Sequence, residues 1–191
     1  ALDGGLAAKE MAMVVAPPGV GKSLFLANQA VRSVLDGFNV VYISLEMAED
    51  RVAQRLDSIF TRIQQKQLSK RVKDVEERLS TIEEQVPGKG RLMIKEFPTK
   101  RLGVSGIRAY LNQLRNYEDF VPDVLIIDYL ELLTSDAGAP EYQAQERIAQ
   151  ELRGVATEYK LLVWTATQTN REGKKVQIIT DSELADSYGK I

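Results

Sequence analysis

The stretch "APPGVGKS" (16–23) follows one apolar run, "MAMVVA" (11–16), and precedes another, "LFLANQAVRSVL" (24–35). The first run is short and rich in β-branched residues. The second repeats apolar residues at Leu24, Ala27, Val31, Val34 and Leu35, the spacing of one helix face. A strand, a turn holding glycines 19 and 21 and a lysine, and then a helix form the context in which A-x-x-x-x-G-K-S reads as a phosphate-binding loop. Glycines let backbone N–H groups converge on phosphate oxygens, and the helix that follows offers its positive end. Lys22 is expected to reach the β- and γ-phosphates of ATP, and the Ser23 hydroxyl to ligate Mg²⁺. Pro18, Gly19, Val20, Gly21, Lys22, Ser23 and Leu24 are therefore the expected nucleotide-binding residues. Ala16 stands where the general pattern has glycine, but closest approach to the phosphates falls to residues 19–23.

Working outward, the chain repeats this alternation. Apolar runs recur at 40–45, 91–97, 123–128, 161–167 and 176–180. Helical spacing lies between most of them: Val52, Leu56, Ile59 and Ile63; Val104, Ile107, Leu111 and Leu114; Ile148, Leu152, Val155 and Tyr159. Strands apolar throughout and alternating with helices predict an α/β protein with a mostly parallel sheet and helices on both faces. Residues 62–90 carry Leu68, Val72, Val75, Leu79, Ile82 and Val86 in a charged background, and predict an amphipathic helix or helical hairpin, an insertion or arm ended by "VPGKG" (86–90). "TSDAGAPEYQ" (134–143) reads as a surface loop.

Composition excludes several chemistries. The 191 residues include no cysteine and no histidine, which removes disulfides, Cys/His zinc sites and thiol or imidazole catalysis. Net charge is −2, so any nucleic-acid contact requires a local patch or several subunits acting together. No stretch reaches the roughly 18 apolar residues of a membrane span, and a cytoplasmic protein without membrane contact is expected. One domain over 1–191 is expected from the length. Ala1 is not an initiator methionine, and a fragment of a longer chain is the expectation.

Hydrolysis needs more than a phosphate loop. Asp128 ends the run "VLIID" and is the expected metal-side carboxylate, although an Asp at a strand end also serves as a turn residue. Tyr129 follows it, where many such ATPases carry the catalytic Glu. The water-activating base is therefore sought at Glu46, just past the second strand, with Glu131 as its competitor; an acid at position 46 also suits a helix start. Gln168, after the run 161–167, is placed to sense the terminal phosphate and to pass its loss to the basic segment holding Arg171, Lys174 and Lys175.

In order, "LDGGL" (2–6), "APPGVGKS", "SLEM" (44–47), "IIDYLELL" (126–133), "TQTNR" (167–171) and "TDSELADSYGKI" (180–191) resemble the ATPase domain of DnaB-type replicative helicases, in a phage-like branch. The resemblance spans nearly the whole chain except 62–90. It implies a RecA-like P-loop NTPase core, a homo-hexameric ring with ATP between subunits, and single-stranded DNA through its centre. Lys22, Glu46 and Gln168 take catalytic roles; Ser23 and Asp128 lie at the metal; segments 134–143 and 171–180, with Arg171, Lys174 and Lys175, face DNA. A primase or a loader is the implied partner, and a bacterial or phage-infected cytoplasm the setting. The family's arginine finger lies beyond Ile191, and its lack costs about 10³- to 10⁵-fold in rate. The competing readings are an ATP-switched loader or assembly module without unwinding activity, and another RecA-like ATPase.

Overall fold

The computed structural model describes residues 5–86, 88–135 and 141–168. Five strands, β1 (Met11–Ala16), β2 (Val40–Ser44), β3 (Leu92–Glu96), β4 (Val124–Asp128) and β5 (Leu162–Gln168), form one sheet in the order β1-β5-β4-β2-β3. Every pairing is parallel. Five α-helices accompany it: α1 (Lys22–Leu35), α2 (Glu49–Thr61), α3 (Val72–Gln85), α4 (Val104–Tyr117) and α5 (Glu141–Tyr159).

Side chains alternate across each strand, so residue parity decides which helices they meet. Val41, Ile43, Leu125, Ile127 and Val163 pack with Ile107, Leu111 and Leu114 of α4 and Leu152 and Val155 of α5. Val40, Tyr42, Val124, Ile126 and Ala166 face the other way, against Leu26, Ala27, Ala30 and Val31 of α1 and Val52 and Leu56 of α2. Phe25 of α1 meets Trp164 of β5 edge-on, ring centres 5.6 Å apart. The sheet is thus covered on both faces, and burying each large aliphatic side chain contributes about 1.5–3 kcal/mol. β2 and β4 are buried at every position. β1 and β3 flank the order and are only half-buried, so the expectation of strands covered throughout holds for the centre and not for these two.

Local signals set the helix limits. α1 begins after Gly21 (φ 98°) and ends in a turn where Gly37 (φ 96°) donates to Val34 O and Phe38 to Ser33 O, which satisfies the last carbonyls. α2 starts with Glu49 and Asp50 at its positive end. Its first turn is tied to the edge of the sheet: Glu49 N–H donates to Glu96 Oε2, and Glu96 N–H to Glu49 Oε1.

The arm expected over 62–90 is a 3-10 stretch, Gln65–Lys70, followed by α3. Leu68 is buried, but no residue of α3 is, so its apolar stripe is half-covered by α2 and β3. The loop expected over 134–143 is shorter than its composition implied, because residues from Glu141 onward already belong to α5. The strand expected at 176–180 lies outside the described residues.

Candidate functional site

Parallel strands put all their carboxyl ends on one edge, which is where α/β sheets bind ligands. The turn 16–23 leaves β1 there, Glu46 follows β2, Asp128 ends β4 and Gln168 ends β5. A cavity of about 330 Å³ opens on this edge. Pro18, Gly19, Gly21, Lys22, Ser23 and Leu24 form one wall, and Glu46, Arg55, Tyr129 and Gln168 the other. Val20, 61% exposed, belongs to the same loop but not to the wall.

Gly19 and Gly21 have φ of 80° and 98°. A Cβ at either would meet nothing within 4 Å, so it is the left-handed backbone and not lack of space that requires glycine. Lys22 is buried, and its Nζ donates to Ala16 O (3.0 Å) and Pro17 O (2.9 Å) of its own loop. Burial pulls its pKa below the ordinary lysine value, against the opposing pull of Glu131, Asp128 and Glu46. An ammonium held back by two neutral carbonyls amid three carboxylates is poised for a stronger anionic acceptor.

Asp128 is 2% exposed and accepts two hydrogen bonds: from Ser23 Oγ to Oδ1 (2.9 Å) and from Tyr42 Oη to Oδ2 (2.8 Å). Burial pushes its pKa up; those two donors, with Arg55 and Lys22, pull it down. Tyr42 is raised by its own burial and by the carboxylate beside it. The Ser23–Asp128 pair is an all-oxygen set suited to Mg²⁺, which is bound through one or two protein oxygens together with phosphates and water. Among the described residues no group of three or more His, Cys, Asp or Glu gathers to cage a metal, in keeping with an ion shared with phosphates.

Glu131, the competing candidate for the base, sits in the one-turn 3-10 helix Leu130–Leu132, off the cavity wall. Its Oε1 accepts the Gln168 N–H (2.8 Å) and the Thr167 hydroxyl, tying the end of β5 to the exit of β4. The Gln168 side chain donates to Tyr129 Oη (3.2 Å). Arg55, on α2, is half-buried on the cavity wall, and no hydrogen bond or ion pair to another described residue engages its guanidinium.

Sequence reasoning passed over Arg55, Tyr42 and Tyr129. For Arg55 a signal exists: it lies three after Val52 and four before Ile59, a cation written into an inward helical stripe. The basic triplet Arg171, Lys174 and Lys175 lies outside the described residues, as does "TDSELADSYGKI".

A glycine-rich strand-to-helix turn, with a lysine and a hydroxyl facing an aspartate on a neighbouring strand, defines the protein as a P-loop nucleotide-binding α/β domain. Comparison with known proteins narrows that class: residues 1–187 match the family described as "DnaB-like helicase C terminal domain", and the chain belongs to it. The "DnaB-like replicative helicase" of Enterobacteria phage T4 is 31% identical over 192 residues, covering 97% of this chain and 40% of that protein. A "Probable plasmid replicative DNA helicase" of Chlamydia trachomatis is 27% identical, covering 95% of this chain and 40% of its own length. The chain thus spans about two-fifths of these curated relatives. Among solved structures, one helicase ATPase domain superposes with TM-score 0.78 at 22% identity, covering 97% of this chain and 67% of that one. A DnaB-like replicative helicase described with its primase interactions gives TM-score 0.71 at 21% identity, over 90% of this chain and 42% of that one. These two likenesses establish the RecA-like helicase ATPase fold. No helix among the described residues is long and apolar enough to cross a membrane.

Proposed function

We propose that residues 1–191 form a single ATPase motor domain of a replicative DNA helicase, which hydrolyses ATP with Mg²⁺ to move along single-stranded DNA. The observation that carries this is the convergence of Lys22, the Ser23–Asp128 pair, Glu46 and Gln168 on one cavity, in a chain of this family.

The loop N–H groups and the start of α1 receive the phosphates. Lys22 exchanges the carbonyls of Ala16 and Pro17 for β- and γ-phosphate oxygens. Mg²⁺, when bound, neutralises phosphate charge and fixes its orientation. Ser23 and Asp128 hold the ion's side of the cavity. Glu46 orients and deprotonates the attacking water. Arg55 adds a second cation facing the terminal phosphate. Gln168 gives up Tyr129 for that phosphate and returns on its loss; the residues after it, with Arg171, Lys174 and Lys175, then shift against DNA. In the whole protein the working form is a homo-hexamer in a bacterial or phage-infected cytoplasm, a neighbouring copy supplies a further cation to the phosphates, and a primase or loader engages the ring.

The test is ATP turnover with and without single-stranded DNA in the complete protein and its Glu46→Gln variant. Glu46→Gln is expected to bind ATP normally and to lose about 10²- to 10⁴-fold in DNA-stimulated turnover. Unaltered turnover removes Glu46 from the mechanism. ATP binding without DNA stimulation in the unsubstituted protein would instead favour an ATP-switched assembly module.

A further inference from the structure

We propose that Tyr42 is a positioning residue for the metal-side carboxylate: its hydroxyl holds Asp128 Oδ2 inside the core, so that Oδ1 alone is presented to the cation that accompanies a nucleoside triphosphate. The inference rests on the placement of Asp128 beside that ion.

Tyr42 lies on β2, fully buried among Leu26, Ala27, Val31 and Ile126 on the α1 face of the sheet. A phenylalanine ring would fill that space equally well. A buried phenol must find a hydrogen-bond partner, and here it passes over the backbone and takes Asp128 Oδ2 at 2.8 Å. Strand register explains the reach. Ser44 lies opposite Asp128, and Tyr42, two residues earlier on the same face, leans along the strand toward it.

The two carboxylate oxygens therefore have different fates. Oδ2 points inward to a donor that sits 0% exposed and has no alternative acceptor among its hydrogen bonds. Oδ1 points to Ser23 Oγ, on the cavity wall. When the Ser23 hydroxyl turns a lone pair to an ion it must withdraw its own hydrogen bond, and Oδ1 then becomes open to the ion or to a water the ion binds. Through this exchange Tyr42 keeps the carboxylate plane in place. Mg²⁺ accepts only near-octahedral geometry, so a carboxylate free to swivel costs affinity. Outer partners of this kind commonly contribute about 10- to 100-fold to metal affinity.

The experiment is a titration of Mg²⁺ against binding of a fluorescent ATP analogue to the complete protein, with thermal unfolding measured on the same samples. Tyr42→Phe removes one oxygen and keeps the ring, and is expected to raise the Mg²⁺ concentration at half-saturation about tenfold or more, while analogue affinity without divalent ion stays as it was. In an Asp128→Asn background the same substitution is expected to add nothing. A folded Tyr42→Phe protein whose Mg²⁺ midpoint stays within about twofold overturns the proposal, as does a full additional shift in the Asp128→Asn background. If Asp128→Asn by itself leaves the midpoint unmoved, the placement of Asp128 fails and the inference falls with it; if Asp128→Asn moves it and Tyr42→Phe does not, the inference alone fails.

Discussion

Replacing Lys22 with alanine should separate phosphate binding from folding. Around the cavity stand two cations, Lys22 and Arg55, and three carboxylates, Glu46, Asp128 and Glu131, as the charges felt by Lys22 and Asp128 show. The substitution moves this local balance from −1 to −2, in a place that must receive several phosphate charges. At about 4 Å and an effective dielectric near 20, one cation–phosphate pair gains about 4 kcal/mol before desolvation. A hydrogen bond to a charged group contributes about 1.5–3 kcal/mol net. A loss of about 2–3 kcal/mol weakens ATP binding about 30- to 150-fold. The fold should bear it, because the two hydrogen bonds removed are those to Ala16 O and Pro17 O at the mouth of the loop, and burial of the charge already opposed them. Fluorescent ATP titration and denaturant unfolding on one preparation measure both quantities. An ATP affinity within about threefold of the unsubstituted protein would refute the phosphate role of Lys22, and collapse of the fold would refute the separation.

Gly90→Ala should act in the opposite way. A Cβ there would lie 1.8 Å from Phe38 O and 2.2 Å from Phe38 C, backbone atoms held by the Phe38–Ser33 and Gly90–Val34 hydrogen bonds, so denaturant unfolding is expected to show a loss of about 3 kcal/mol or more. A small effect would mean that the β3 entry approaches the end of α1 more loosely than these distances require. Asp57 is pushed above the ordinary carboxyl value by burial, so its native state holds a proton more tightly than the unfolded chain does. That contribution is favourable below the ordinary value and is lost as pH rises through the native one. Asp57→Asn should therefore raise the unfolding midpoint at pH 7, with the gain fading on acidification toward pH ~4; equal midpoints at pH 7 would contradict the burial. Replacing Arg171, Lys174 and Lys175 by alanine should flatten the logarithmic salt dependence of single-strand affinity by about 2, at about 0.7 for each phosphate no longer neutralised. An unchanged slope would remove the triplet from the DNA surface.

The fold was legible where local signals were sufficient. Each of the five described strands is a short apolar run bounded by turn residues, and α1, α2, α4 and α5 follow apolar stripes at helical spacing. Burial depth was not legible, because "MAMVVA" at one edge is as apolar as "VLIID" at the centre, and only pairing decides which is enclosed. Strand order was hidden for the same reason: β1 pairs with β5, the last described strand, across more than a hundred intervening residues. α3 shows the limit of periodicity. Its stripe predicts a helix, yet how far Val72, Val75, Leu79 and Ile82 are covered depends on α2 and β3, which the stripe does not specify.

The site divides along the same line. Lys22, Ser23, Glu46, Asp128 and Gln168 each stand at the end of an apolar run, and a parallel sheet carries such ends to one edge, so their meeting follows from topology alone. Tyr42, Arg55 and Glu131 stand elsewhere: mid-strand, mid-helix and in a 3-10 turn. What brings them in is the pairing of β2 with β4 and of β4 with β5, and the packing of α2 beside α1. Residues that meet phosphate are thus announced by the punctuation of the chain, whereas those that orient them are specified only by which strand lies next to which. Glu131 makes the difference concrete. Read along the chain it is a competing base; placed between β4 and β5 it receives the Gln168 N–H and the Thr167 hydroxyl, and so binds the phosphate-sensing strand end to the metal-side strand. A base would need that carboxylate open to water at the γ-phosphate, and Glu46, on the cavity wall, is the acid whose position offers it.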